Sequence, residues 1–210
     1  MRETIIASAI GVFNTKGIKN SSLRDIADQL SISDGHLRYY FRTKEDLLLA
    51  VFAEMDEAIL AVASEKTVHD SIAQAIIEPV SKSFRIMYAY GFFFTEPLAV
   101  LQKYTRLYNA YIQLIERRRE LFMEVFEKFK ENGIFAQQVD KELFPVLFEQ
   151  FFILSDSWIR YAKMPHRRNI EDSEQVKHYV AVSIGLFLPY LSSQVRDDLT
   201  VWVKSSYYLQ

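Results

Sequence analysis

Apolar side chains recur along the chain at spacings of three and four, and capping and breaking residues cut that recurrence into helices. Ile5, Ile6, Ala9, Ile10, Val12 and Phe13 line one face of a first helix over residues 3–16, and Gly17 follows where a helix end favours glycine. Ser22 and Asp25 stand at capping-box spacing and open a short second helix that turns Leu23, Ile26, Ala27 and Leu30 inward. Ser33 caps a third helix reaching about Tyr40, so only a few residues around Leu30 to Ser33 join the second and third, as a helix-turn-helix requires. Thr43 and Asp46 form another capping box, and Leu47, Leu48, Val51, Phe52, Met55, Ile59 and Val62 carry a fourth helix to about residue 64. Beyond it the pattern predicts helices near 69–90, 96–103, 104–132, 141–163, 172–191 and 194–207. Asn132-Gly133 closes the longest of these, Asp140 caps the next, and Pro165 to Asn169 forms a basic, polar loop. No alternating strand pattern and no internal repeat stands out. The fold class is therefore all-α, with a three-helix helix-turn-helix module over residues 1–47 and a larger helical domain over 48–210.

Composition narrows the function. Half the residues are apolar or aromatic and a quarter are charged, with 6 Gly and 5 Pro, which suits a packed helical protein. A net charge of −2 excludes a chain that binds polyanions over its whole surface, so any affinity for nucleic acid must be local. Such a concentration lies between Lys16 and Lys44, where Lys16, Lys19, Arg24, Arg38, Arg42 and Lys44 face only Asp25, Asp28 and Asp34. With no cysteine there is no disulfide, thiolate metal site or cysteine nucleophile. The charged N-terminus does not read as a signal peptide, and Val180 to Leu191 is broken by Ser183, Gly185 and Pro189, so neither secretion nor a membrane span is expected and the protein is placed in the cytoplasm. The histidines at 36, 69, 166 and 178 have no paired ligand spacing, and no acid, base and nucleophile set converges; no metal, no cofactor and no enzymatic activity are expected.

The first 47 residues resemble the TetR family of transcriptional regulators. The resemblance is carried by Phe13-x-x-x-Gly17, Ser21-Ser22-Leu23, Ile26-Ala27, Leu30-Ser31-Ile32-Ser33 and Gly35-His36-Leu37-Arg38-Tyr39-Tyr40-Phe41-x-x-Lys44-Glu45-Asp46-Leu47. It implies that the third helix enters the major groove while the second and fourth hold phosphates. DNA contacts are then expected from Ser21, Ser22, Arg24, Ser33, Gly35, His36, Arg38, Tyr39, Tyr40 and Lys44. Arg24 has the chemistry to read a guanine edge bidentately, and His36 and Arg38 are the base-directed side chains of the third helix. Gly35 lets the backbone come close. Phe41 and part of Tyr39 are assigned to packing and Tyr40 to a phosphate; Lys44 sits in the first turn of the fourth helix, where free N–H groups also favour a phosphate. The sequence departs from the family pattern at Ser31, where glycine is common in the turn, at His36, where a small residue is common, and at Arg38, where an aromatic is common. The operator therefore cannot be carried over from relatives.

For the remaining 163 residues (210 less 47) the resemblance implies dimerisation and small-molecule sensing. Phe93, Tyr108, Asn109, Tyr111, Gln113, Phe122, Phe152 and Trp158 are the candidate ligand contacts, with aromatic walls and a few polar handles, which favours a partly apolar effector. Phe148, Ile159, Val182, Gly185, Leu186 and Pro189 are the candidate dimer contacts, Gly185 inviting close helix approach. Arg117, Arg118 and Arg119 lie among Glu116, Glu120 and Glu124 and read as a solvated helix face. The expected function is a repressor that binds a palindromic operator as a homodimer and is released by its effector. The alternative is a helical binding protein for a hydrophobic ligand or a protein partner that keeps the N-terminal module as a scaffold; Arg24, Arg38 and Lys44 discriminate, since a scaffold has no use for three cations around one short helix.

Overall fold

The computed structural model describes residues 1–65, 68–164 and 172–208. The expected loop over Pro165 to Asn169, with His166, Arg167 and Arg168, lies outside the described residues. Within them the chain is helical: α1 (Arg2–Lys16), α2 (Leu23–Gln29), α3 (Asp34–Tyr40), α4 (Lys44–Ser64), α5 (Ile72–Ala89), α6 (Gly91–Thr95), α7 (Leu98–Leu101), α8 (Thr105–Glu131), α9 (Phe144–Ala162), α10 (Asp172–Gly185) and α11 (Ser193–Tyr208). Single 3-10 turns at Lys141–Leu143 and Leu188–Tyr190 precede α9 and α11. Among the described residues the only β pairing is an isolated bridge between Phe135 and Leu191.

Two compact units form. One takes Met1–Ala61 together with Ile86–Leu114, and the other takes Val62–Arg85 with Ile115–Gln210. The unit holding the first three helices thus includes most of α4 and the segment from Ile86 to Leu114. Its core is assembled from the periodic positions read in the sequence: Ile5, Ile6, Ala9, Val12 and Phe13 of α1, Leu23, Ile26 and Ala27 of α2, Leu37 of α3, and Leu47, Leu48 and Val51 of α4 are all buried. The second unit is centred on aromatic rings. Trp158 stacks on Phe84 with centroids 5.6 Å apart and meets Tyr179 at 5.0 Å, while Phe126, Phe135 and Phe144 contact one another at 5.5–5.7 Å.

Two elements differ from the expected ones. Residues Gly91–Thr95 form a separate helix, α6, where the sequence showed only a break between two longer helices. Five residues with three consecutive phenylalanines carry no periodicity, and Phe92, Phe93 and Phe94 are all buried. The helix expected to run from 172 to 191 stops at Gly185, and Pro189 stands inside the 3-10 turn that follows.

Candidate nucleic-acid interface

Capping side chains define the helix-turn-helix. Ser22 accepts from the Asp25 backbone N–H at 3.1 Å while the Asp25 carboxylate accepts from the Ser22 N–H at 2.7 Å, a complete capping box. Ser33 accepts from the His36 N–H at 3.1 Å and starts α3. Thr43 and Asp46 repeat the reciprocal arrangement at the start of α4, with distances of 3.1 and 2.9 Å. Each cap satisfies a donor that the first helical turn leaves open and is worth about 1 kcal/mol. Between α2 and α3, Ser31 takes a φ of +55°, the left-handed conformation that glycine adopts most readily, so the turn is made with a side chain attached.

Seven residues of α3 divide cleanly between inside and outside. Leu37 and, just past the helix, Phe41 are buried. At about 100° per residue, Gly35 and Tyr39 fall opposite them, with His36 and Tyr40 on one flank and Asp34 and Arg38 on the other. Tyr39 is 81% exposed, so the share of packing expected of it belongs to Phe41 alone. The Tyr39 ring meets Tyr40 edge-on at 5.2 Å, and Tyr40 lies 5.8 Å from the His36 ring. Arg38 donates from Nε to Asp34 at 2.6 Å and from Nη1 to the Arg42 carbonyl at 3.1 Å. Arg24 is freer: its guanidinium lies 3.9 Å from Asp28, and the side chain is 82% exposed.

Several residues expected on DNA have hydrogen-bond partners within the chain. Ser21 is buried and donates to the Ile18 carbonyl at 3.2 Å, and the Ser22 hydroxyl donates to Asp25. The Lys44 ammonium is half-buried and donates to the Ile18 and Ser21 carbonyls; burial lowers its pKa, with the Glu96 carboxylate acting against the shift. Three side chains not singled out in the sequence complete this arrangement. Glu96, buried at the end of α6, accepts from the backbone N–H groups of Ile18 and Lys19. Asn14 donates to the Ala89 carbonyl at 2.7 Å and accepts from the Phe92 N–H at 3.0 Å. Arg106, at the start of α8, donates to Glu45 and Asp46 at 3.2 and 2.8 Å, and its guanidinium draws the Asp46 carboxyl below the ordinary carboxylate range. The turn after α1 is thus held from two sides, by an ammonium on its carbonyls and a carboxylate on its amides. Partners 26 and 78 residues away leave no local signal in the sequence.

The family models for "Bacterial regulatory proteins, tetR family" and for the TetR "Bacterial transcriptional repressor" match residues 5–51 and 51–199 respectively, the latter more than half the chain. The chain belongs to the TetR family. IcaR of Staphylococcus aureus (strain Newman), described as a negative transcriptional regulator of the biofilm operon icaADBC, is 26% identical over 203 residues, covering 90% of this chain and 99% of that protein. YttP of Bacillus subtilis (strain 168), a probable HTH-type transcriptional regulator, is 36% identical over 56 residues, only 27% of either chain. Among solved structures, a TetR-family regulator of Marinobacter aquaeolei VT8 has a TM-score of 0.86 at 22% identity, covering 99% of this chain and 98% of that one, and so shares the fold. The family is one of transcriptional regulators and not of enzymes.

The expected ligand contacts of this TetR-family protein do not converge on one place. Phe93, Tyr108 and Tyr111 come together with Phe52, Met55, Phe94, Leu101 and Leu107 around an interstice in the first unit. Its free volume is about 10 Å³, no more than one water molecule needs. Asn109 and Gln113 are exposed, because they share the face of α8 turned away from the buried Leu107 and Leu114. Phe122, Phe152 and Trp158 belong to the second unit; Trp158 is buried in its core, and Phe122 and Phe152 both pack against Phe148 at 5.6 Å. The expected dimer contacts are divided too. Phe148 and Ile159 are buried within the chain's own core, Val182, Gly185 and Leu186 are partly covered, and Pro189 is exposed. A Cβ on Gly185 would meet Val203 at an ordinary 4.0 Å, so packing within the chain does not require that glycine. The exposed apolar stripe of this region is Leu143, Val146, Ile153, Tyr161 and Met164, along and beside α9. Among the described residues no group of His, Asp and Glu could hold a metal ion, and no helix is long and apolar enough to cross a membrane.

Proposed function

We propose that this TetR-family protein is a homodimeric repressor that reads a palindromic operator with two copies of α3 and leaves it when a small, neutral, largely apolar effector binds. The observation that carries the reading is the division of α3. Its inner face completes a buried three-helix core, and its outer face, Gly35, His36 and Tyr39, is exposed, with Arg38 and the partly covered Tyr40 on its flanks. A regulator must present such a face, and a scaffold has no need of one. Exposed cations surround it: Arg24 on α2, Lys19 before α2, Arg42 after α3, and Arg2, whose guanidinium lies 5.4 Å from the Phe41 ring. They supply the phosphate attraction that a chain of net charge −2 lacks as a whole.

Two copies place two α3 helices in successive major grooves, about 34–36 Å apart or a multiple of it. The stripe from Leu143 to Met164 is the face that pairs them, since Val146, Ile153 and Tyr161 fall at spacings of seven and eight, the repeat of a helix-on-helix seam. The effector enters between Phe52 and Met55 of α4 on one side and Tyr108 and Tyr111 of α8 on the other; no charged side chain lines that interstice, so a charged ligand would go unpaired. Opening it moves α4, the helix that follows the reader directly. The effector must favour the released state by several kcal/mol to empty the operator, since equal affinity for both states shifts nothing. The test is selection of bound fragments from random duplex DNA by the purified protein. An inverted repeat is the expected product; an asymmetric site bound by one chain would overturn the dimeric reading.

A further inference from the structure

The most prominent side chain on the outward ridge of α3 is an uncharged ring. Tyr39 is 81% exposed at the centre of the ridge, opposite the buried Leu37 and Phe41. One turn earlier on the same line stands Gly35, where an added Cβ would meet nothing closer than 4.0 Å, so the backbone there leaves a notch beside the ring. The ring is also braced: Tyr40 meets it edge-on at 5.2 Å and an interplanar angle of 88°, and His36 supports Tyr40 in turn. Arg38, the cation of this helix, already spends two donor directions on Asp34 and the Arg42 carbonyl. A duplex that seats on Gly35 therefore meets an aromatic surface before it meets a guanidinium. The apolar group that the major-groove edges of the bases offer is the C5-methyl of thymine.

We infer that Tyr39 is a specificity-determining residue whose ring packs on one thymine methyl in each operator half-site. The inference rests on the operator-binding reading above and narrows it to a base and an atom. A tyrosine ring has few side-chain torsions to fix on contact, so the methyl is buried at little entropic cost. His36, beside it, directs a ring nitrogen to the neighbouring base edge. The hydroxyl of Tyr39 is not required by this contact, which separates it from the phosphate-holding role that a tyrosine in this position could otherwise have.

The test uses the full-length protein and the duplex recovered from random-sequence selection, with each thymine replaced singly by deoxyuridine, which lacks only the methyl. Wild-type protein should lose about fourfold in affinity at one thymine per half-site, the value of one buried methyl group. Tyr39→Ala should bind more weakly and show no methyl sensitivity at that position, whereas Tyr39→Phe should keep it. Unchanged melting temperatures of both variants, expected for so exposed a side chain, exclude misfolding as the cause, and the scan on the wild type needs no variant at all. Three results would overturn the inference: no thymine sensitive to methyl removal, a sensitivity that survives in Tyr39→Ala, or a Tyr39→Phe variant as weak as Tyr39→Ala on every duplex. Failure to enrich any duplex would instead remove the operator reading itself, and this inference with it.

Discussion

Replacing Gly17 by alanine perturbs both the backbone of the turn after α1 and the buried carboxylate that holds it. Gly17 has φ +77° and ψ 163°, a region almost closed to side chains, so alanine there costs about 1–3 kcal/mol in strain. Its Cβ would also lie 2.8 Å from Oε1 of Glu96, the atom that accepts the Ile18 N–H. Ile18 is fully buried, so driving the carboxylate away leaves an amide with no acceptor and adds about 1.5–3 kcal/mol. The Gly17→Ala variant should therefore be less stable by about 4 kcal/mol, and Glu96→Ala, which forfeits the hydrogen bond alone, by about 2 kcal/mol. The two losses share one interaction. The double variant should then lose about 4 and not 6 kcal/mol, a coupling of about 2 kcal/mol. Urea unfolding followed by circular dichroism measures all four corners of the cycle. Strict additivity, or a Glu96→Ala variant as stable as the parent, would refute the claim that Glu96 holds this turn.

Other consequences follow from the caps, the cations and the seam. Asp25 is held well below the ordinary carboxylate range, chiefly by Lys16 and then by Ser22, so it contributes stability above the unfolded-state pKa of about 4 that is lost as pH falls through its lower folded value. The melting-temperature gap between wild type and Asp25→Asn should thus be full at neutral pH and shrink below about pH 4; a gap constant with pH would contradict this. Lys44→Ala should lower stability by about 1–3 kcal/mol, because two carbonyls lose a charged donor, and equilibrium unfolding checks it. Arg24→Ala should leave stability within about 0.5 kcal/mol and weaken DNA binding, read by fluorescence anisotropy, while Arg106→Ala should lower the melting temperature slightly at low salt, a loss that fades with added salt. Ile153→Glu should leave the secondary structure intact and yield a monomer by light scattering; an unaltered dimer would move the seam elsewhere.

What the sequence revealed depends on the distance over which each contact is made. The caps at Ser22, Ser33, Thr43 and Asp140 are local, each accepting from an amide two or three residues on, and all four stand where their side-chain chemistry placed them. Helical periodicity found the inner residues of α1 to α4 for the same reason. Glu96 was invisible because nothing next to it signals a partner at Ile18, and α6 because five residues, three of them consecutive phenylalanines, have no measurable period. On α9 apolar side chains occupy nearly every face, so Phe148 and Ile159 could not be told from Val146 and Ile153 until burial separated them. The sequence assigns Arg38 and Lys44 to DNA, and it does not disclose that Asp34 or backbone carbonyls already engage them.

The central claim is that the outer face of α2 and α3 chooses DNA sequence while bearing none of the fold. The most direct measurement compares wild type with a triple variant, Arg24→Ala, His36→Ala and Tyr39→Ala, for melting temperature and for affinity to the selected duplex against a scrambled one. The account predicts a melting temperature unchanged by the substitutions and complete loss of preference for the selected duplex. A variant that still prefers that duplex as the wild type does, or one that loses its fold together with its preference, would contradict it.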